Sequence, residues 1–96
     1  MIESFRDAAT ADLYHGRENA RVRRFHPSLR SAALRRLDSL DAAKDLNDLR
    51  ANPGNRIEEL KRDLKGFLSI RVNDQWRVIF RWHEGNAVDV MLTDYH

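Results

Sequence analysis

Apolar residues recur at steps of three and four through the first half of the chain and at steps of two through the second. Leu29, Ala33, Leu37, Leu40 and Ala43 share one stripe of a helical surface, and the stripe starts just after His26-Pro27-Ser28. That spacing and that start signal predict an amphipathic helix from about Ser28 to Ala42. Leu46 and Leu49 extend the pattern by a turn or two before Asn52-Pro53-Gly54-Asn55 breaks it as a turn. Nearer the N-terminus, Ile2 to Phe5 is short enough for an edge strand, and Asp7 is placed to cap a helix that reaches about Tyr14. Gly16 then serves as its stop.

After residue 55 the period becomes two. Leu68, Ile70 and Val72 alternate with Phe67, Ser69 and Arg71, while Trp76, Val78, Phe80 and Trp82 alternate with Arg77, Ile79 and Arg81. Val88, Val90 and Leu92 alternate with Asp89, Met91 and Thr93 in the same way. These are three strands, joined by the hairpin loops Asn73-Asp74-Gln75 and Glu84-Gly85-Asn86. Ile57 to Lys61 reads as one more strand leading in. The predicted fold is α+β, with an N-terminal strand and two or three helices packed on one face of a mainly antiparallel sheet, and the whole chain forms one domain over residues 1–96.

Burial sets the expected register. Three-residue loops pair Val72 with Trp76, Ile70 with Val78 and Leu68 with Phe80, then Trp82 with Val88, Phe80 with Val90 and Val78 with Leu92. All the apolar partners then share one face. The opposite face receives Arg81 across from Asp89, an ordinary charge pair, and Arg71 across from Arg77, with Thr93 beyond. Like charges directly opposed on neighbouring strands are unfavourable. Two guanidiniums fanning into solvent would relieve them, and so would a phosphate-sized anion held by both forks. Tyr95 continues that face diagonally from Arg77, where an aromatic ring can stack on a base.

Composition narrows the class. At 96 residues with 42% hydrophobic and 33% charged, the chain suits a folded soluble protein with room for one modest core. It has no cysteine, which removes disulfides and thiolate metal sites, and no apolar run of membrane-crossing length or signal-like leader. A cytoplasmic protein is the expectation. Net charge is only +2, yet 14 of the 17 basic residues are arginine, whose planar fork matches phosphate; codon bias toward arginine explains the excess equally well. Arg17, Arg21, Arg23, Arg24, Arg30, Arg35 and Arg36 cluster with Glu18 as the only acid among them, and Asp38, Asp41, Asp45 and Asp48 follow. Such a run is a solvated helix face or a patch for an anionic partner. Asp94 and His96 could share a face as metal ligands, but two ligands make no site, and His15, His26 and His83 lack ligand spacing.

Taken in order, Gly66-Phe67-Leu68-Ser69-Ile70-Arg71-Val72, Gln75-Trp76-Arg77-Val78-Ile79-Phe80 and the closing Asp94-Tyr95-His96 resemble the HigB-type toxins (host-inhibition or killer proteins) of the RelE/ParE superfamily. The resemblance spans nearly the whole chain, from Met1-Ile2-Glu3-Ser4-Phe5 through the Asn52 to Arg56 turn. It implies a RelE-like microbial RNase fold and a toxin of a type II toxin–antitoxin system that cuts mRNA in the ribosomal A site without metal or other cofactor. A ribose 2′-hydroxyl attacks the adjacent phosphate. It also implies the site Lys61, Arg77, Asp94, Tyr95 and His96, while the strand pairing itself puts Arg71, Arg77 and Tyr95 on the RNA. Where some relatives carry a histidine, Glu58 stands here and becomes the candidate base. His96, able to titrate near neutrality, is the general acid, and ending the chain on it leaves no tail to crowd the site.

The partners implied are the ribosome and its mRNA and a cognate helix-turn-helix, HigA-like antitoxin, with operator DNA reached only through the antitoxin complex and no membrane. Two other readings stay open. One is a ParE-like protein that poisons DNA gyrase on the same fold without the catalytic residues; the other is an RNA-binding module that uses the arginine face alone.

Overall fold

The computed structural model describes residues 1–94, so the roles assigned to Tyr95 and His96 lie outside the described residues. Helix α1 (Ala8–Tyr14) starts where the Asp7 carboxylate accepts the Thr10 N–H, the expected cap. A single turn, α2 (Ala20–Arg23), follows inside the arginine-rich stretch, capped by Asn19 on Val22. Only Val22 of that turn is buried, which is too little to leave a period in the sequence.

Helix α3 (Pro27–Ala42) takes Pro27 in its first turn and the His26 ring as its cap, with Nδ1 accepting the Ser28 N–H. It buries Leu29, Ala33, Leu37 and Leu40, the predicted stripe. The backbone turns extended at Ala43, so Leu46 and Leu49 sit on a separate helix, α4 (Leu46–Arg50). There Asp45 accepts the Asp48 N–H while Asp48 accepts the backbone N–H groups of Lys44 and Asp45. Asp41 accepts the Ile2 N–H. The acidic run therefore closes backbone ends rather than standing only as a solvated face.

The sheet is antiparallel and ordered β1 (Glu58–Glu59), β2 (Leu68–Arg71), β3 (Trp76–His83), β4 (Asn86–Asp94). The strand expected at Ile57 to Lys61 shrinks to two residues. The first hairpin has the predicted register, with Leu68 on Phe80, Ile70 on Val78 and Arg71 on Arg77. In the second, Val78 meets Leu92 and Arg77 meets Thr93, but the register then shifts. Glu84 and Gly85 take φ of 50° and 82°, a two-residue loop with both residues left-handed, so Asn86 already belongs to β4. That turn matches the natural twist of a hairpin better than a three-residue loop does. Trp82 consequently pairs with Ala87 instead of Val88, and Arg81 with Val88 instead of Asp89. A bulge beside Ile79 and Arg81 absorbs the extra residue, with Asp89 at φ 54°.

The N-terminal segment is not a full strand. It makes two parallel bridges to the outer edge of β4, Ile2 with Ala87 and Phe5 with Val90. The Ser4 and Thr10 hydroxyls accept the N–H groups of Asp89 and Leu92, covering the edge that hydrogen bonds would otherwise leave exposed.

The helices pack on the face carrying Ile70, Val78, Phe80, Val90 and Leu92. Phe25, just past α2, meets Trp76 edge to face at 5.7 Å. The other face is not bare, as a simple two-layer reading has it. Leu60 and Phe67 fold over Ile79, with Leu64 and Met91 beside them, into a second small core. Ser69 is buried under the same cover.

Candidate functional site

On this second face, pairing places Arg71, Arg77 and Thr93 in one row across β2, β3 and β4. Neighbouring strands lie about 4.8 Å apart, so the two guanidinium stems rise side by side. The hairpin loop between them relieves the repulsion. Arg71 forms an ion pair with Asp74, and Arg77 Nη1 donates to the Asn73 carbonyl at 2.7 Å and the Trp76 carbonyl at 3.2 Å. The Asn73 side chain in turn accepts the N–H groups of Gln75 and Trp76, which fixes the loop. Asp74 is 98% exposed, so water screens its pairing with Arg71.

Asp94 stands opposite Trp76 at the end of β4 and accepts a hydrogen bond from Gln75 Nε2 at 2.8 Å. The loop that holds both arginines therefore also holds the strand end that leads into Tyr95 and His96. Alongside runs a cleft of about 410 Å³ lined by Arg6, Leu64, Ile79, Met91, Thr93 and Asp94, among others. Glu58 pairs with Ser69 on β2, which puts its side chain on the same face as Arg71 and Arg77.

Lys61 is placed differently. It is exposed between β1 and a 3₁₀ turn at Arg62–Leu64 and lines another groove, of about 570 Å³, with Arg50, Arg62, Lys65, Leu60 and Trp82. The structure thus gathers Arg71, Arg77 and Asp94 at one corner and sets Lys61 in a depression of its own. Tyr95 and His96 lie outside the described residues.

Two more arginines meet on this second face: Arg81, which the sequence pattern sets opposite Asp89 as an ordinary charge pair, and Arg6, to which it gives no role. The Arg6 and Arg81 guanidinium carbons lie 5.2 and 4.7 Å from the centre of the Phe67 ring. Arg81 could have been found, because it shares the face of Arg77 on β3 at a period of two. Arg6 could not, since only the bridge of Phe5 to Val90 carries it there.

The basic stretch is partly spent on structure. Arg17 and Arg21 both reach Asp12, at 2.9 and 3.3 Å, and Arg36 donates to Asn55 at 2.7 Å. The hydrogen bonds from Asn19 and Arg17, and the charge of Arg21, hold the Asp12 carboxyl below the usual carboxylate range. Its partner acid thus comes from α1, outside the run.

Comparison with known proteins matches residues 3–96 to a family described as the RelE-like toxin of type II toxin–antitoxin system HigB. The chain is 42% identical over 92 residues to Toxin HigB-1 of Vibrio cholerae, covering 96% of this chain and 95% of that one. It is 33% identical over 61 residues to Endoribonuclease HigB of Proteus vulgaris, covering 64% and 65% of the two chains. Among solved structures, a chain of the YoeB-YefM complex from Staphylococcus aureus superposes with a TM-score of 0.62 at 17% identity, covering 100% of this chain and 98% of that one. This last likeness is one of fold, and it agrees with the α+β architecture described above. The chain belongs to the HigB-like family, the RelE-like toxins of type II toxin–antitoxin systems.

Proposed function

We propose that this toxin is an endoribonuclease that cuts mRNA in the A site of translating ribosomes and so arrests translation and growth. The observation that carries the reading is the row of Arg71, Arg77 and Thr93 at the corner from which the chain runs on to Tyr95 and His96. The similarity to Endoribonuclease HigB supports it. The cut forms a bond from the ribose 2′-oxygen to phosphorus and breaks the bond from phosphorus to the 5′-oxygen, leaving a cyclic phosphate and a 5′-hydroxyl. Arg77, with Arg71 beside it, neutralises the charge that grows on the phosphoryl oxygens. His96 gives the leaving oxygen its proton. Glu58, on the arginine face, is the carboxylate available to take the proton of the 2′-hydroxyl. Tyr95 stacks on or orients the nucleotide, and Asp94 anchors the strand end. Lys61, in its own groove, binds RNA phosphate next to the site, and the chemistry needs no metal.

The toxin acts in the cytoplasm as a single domain over residues 1–96, and among the described residues no helix is long and apolar enough to cross a membrane. A cognate helix-turn-helix antitoxin of HigA type neutralises it and carries the pair to operator DNA.

Induction in bacteria followed by primer extension of mRNA 5′ ends tests the reading. New in-frame cuts within translated codons are expected, and Arg77→Ala or deletion of His96 should remove them while the protein still folds. Growth arrest with intact mRNA and damaged DNA would replace this reading with gyrase poisoning. Binding to RNA without any cut would leave only an RNA-binding module.

A further inference from the structure

Arg6 and Arg81 share the Phe67 ring, and among the described residues neither has an acidic partner. Both are exposed. Two like charges over one ring repel each other, and at an exposed site the ring's electron-rich face offsets only part of that. An arrangement so unbalanced in charge is complete when an anion bridges the two forks.

The position says which anion. Arg6 also lines the cleft beside Thr93 and Asp94, and Arg81 lies four residues along β3 from Arg77 on the same face. At about 3.3 Å per residue, roughly 13 Å separates Arg81 from Arg77 along the strand, which leaves room for a flanking nucleotide between them. The floor of that path is apolar, made by Ile79 and Met91, with Thr93 at the end near Arg77. A charged backbone can follow such a path only if its phosphates meet cations at the two ends.

We propose that Arg6 and Arg81, held in place by Phe67, form a second phosphate subsite for the mRNA strand, next to the phosphate that is cut. The proposal rests on the endoribonuclease reading and adds to it a determinant of binding rather than of chemistry. The N-terminal segment is then part of the RNA path, placed there by its bridges to β4.

The test is cleavage by the full-length toxin on ribosomes programmed with a short mRNA, comparing wild type with R6Q/R81Q and R6K/R81K. The double glutamine variant should raise KM about tenfold with kcat held within about twofold, because charge-assisted bonds to a phosphate are lost without touching the reacting groups. The lysine pair keeps the charge but not the planar fork, and should fall between the two. Thermal melting checks that each variant folds. An mRNA with a neutral methylphosphonate at the linkage flanking the cut should erase the difference between wild type and R6Q/R81Q, since both then lack the same contact.

A KM difference that persists on every methylphosphonate mRNA would place the contact on ribosomal RNA and overturn the proposal. So would variants that melt lower yet keep the wild-type KM, which would make the pair a cover for Phe67. If Arg77→Ala still abolishes cleavage in that case, the endoribonuclease reading survives without the subsite. Wild-type toxin that cuts nothing would sink both.

Discussion

Asp12 shows what a single side chain does for the ordering of this molecule. It is buried, yet its two oxygens receive Arg17, Asn19 and Arg21, joining α1 to the loop and turn that follow. Those bonds favour the ionised carboxylate, so its pKa in the folded state lies below the unfolded value of 3.8. For a depressed carboxylate the contribution to stability is complete above the unfolded pKa and is lost as pH falls through the folded one. Wild type should therefore unfold at lower urea concentrations as the pH falls below about 4. Asp12→Asn should be less stable than wild type at pH 7, and the gap between the two should close as the pH is lowered toward 2. A gap that stays constant with pH would mean the carboxylate's charge contributes nothing.

At the scale of elements, the β3–β4 hairpin sets where the candidate site ends up. Its loop is Glu84-Gly85, and Glu84 carries a side chain at φ 50°, a conformation that asparagine and glycine tolerate far better. Glu84→Asn should raise the urea midpoint by the equivalent of about 0.5–1 kcal/mol, with the denaturant slope unchanged. The same turn explains the missed register. A three-residue loop was the natural reading of Glu84-Gly85-Asn86, but it differs by one residue from the loop adopted. The bulge at Asp89 restores the phase, so the half of the hairpin nearer the site keeps the predicted pairs of Val78 with Leu92 and Arg77 with Thr93. The shift is confined to the turn end of the hairpin because the bulge lies between that end and Ile79.

For the whole molecule, the question is whether two cores behave as one. The described fold is small, with a radius of gyration of 12.4 Å, and the sheet is a single layer shared by both clusters. Phe80 and Val78 face the helices while Ile79 between them faces Leu60 and Phe67. Alternation thus ties the two packings to the same strand, and neither can be lost alone without exposing the other. Leu37, completely buried on α3, is the place to test this. Leu37→Ala should cost about 2–5 kcal/mol. Tryptophan fluorescence and far-UV circular dichroism should still report one common urea transition, shifted together. Separate transitions would show that the second face folds independently of the helices.

Local rules read from the residues were enough for the period of α3, its proline start, the Asp7 cap, the three long strands and the opposition of Arg71 to Arg77, because each depends on neighbours within a few positions. The resemblance carried by the strand motifs and by Asp94-Tyr95-His96 pointed to the family in the same way. What tertiary structure alone decided involves residues far apart in the chain: the N-terminal segment laid beside β4, Leu60 and Phe67 folded over Ile79, Arg6 brought to Arg81, and Lys61 set in a separate groove. Periodicity tells which side of an element is buried. It does not tell what buries it, because that is fixed by contacts whose partners have no common spacing in the sequence.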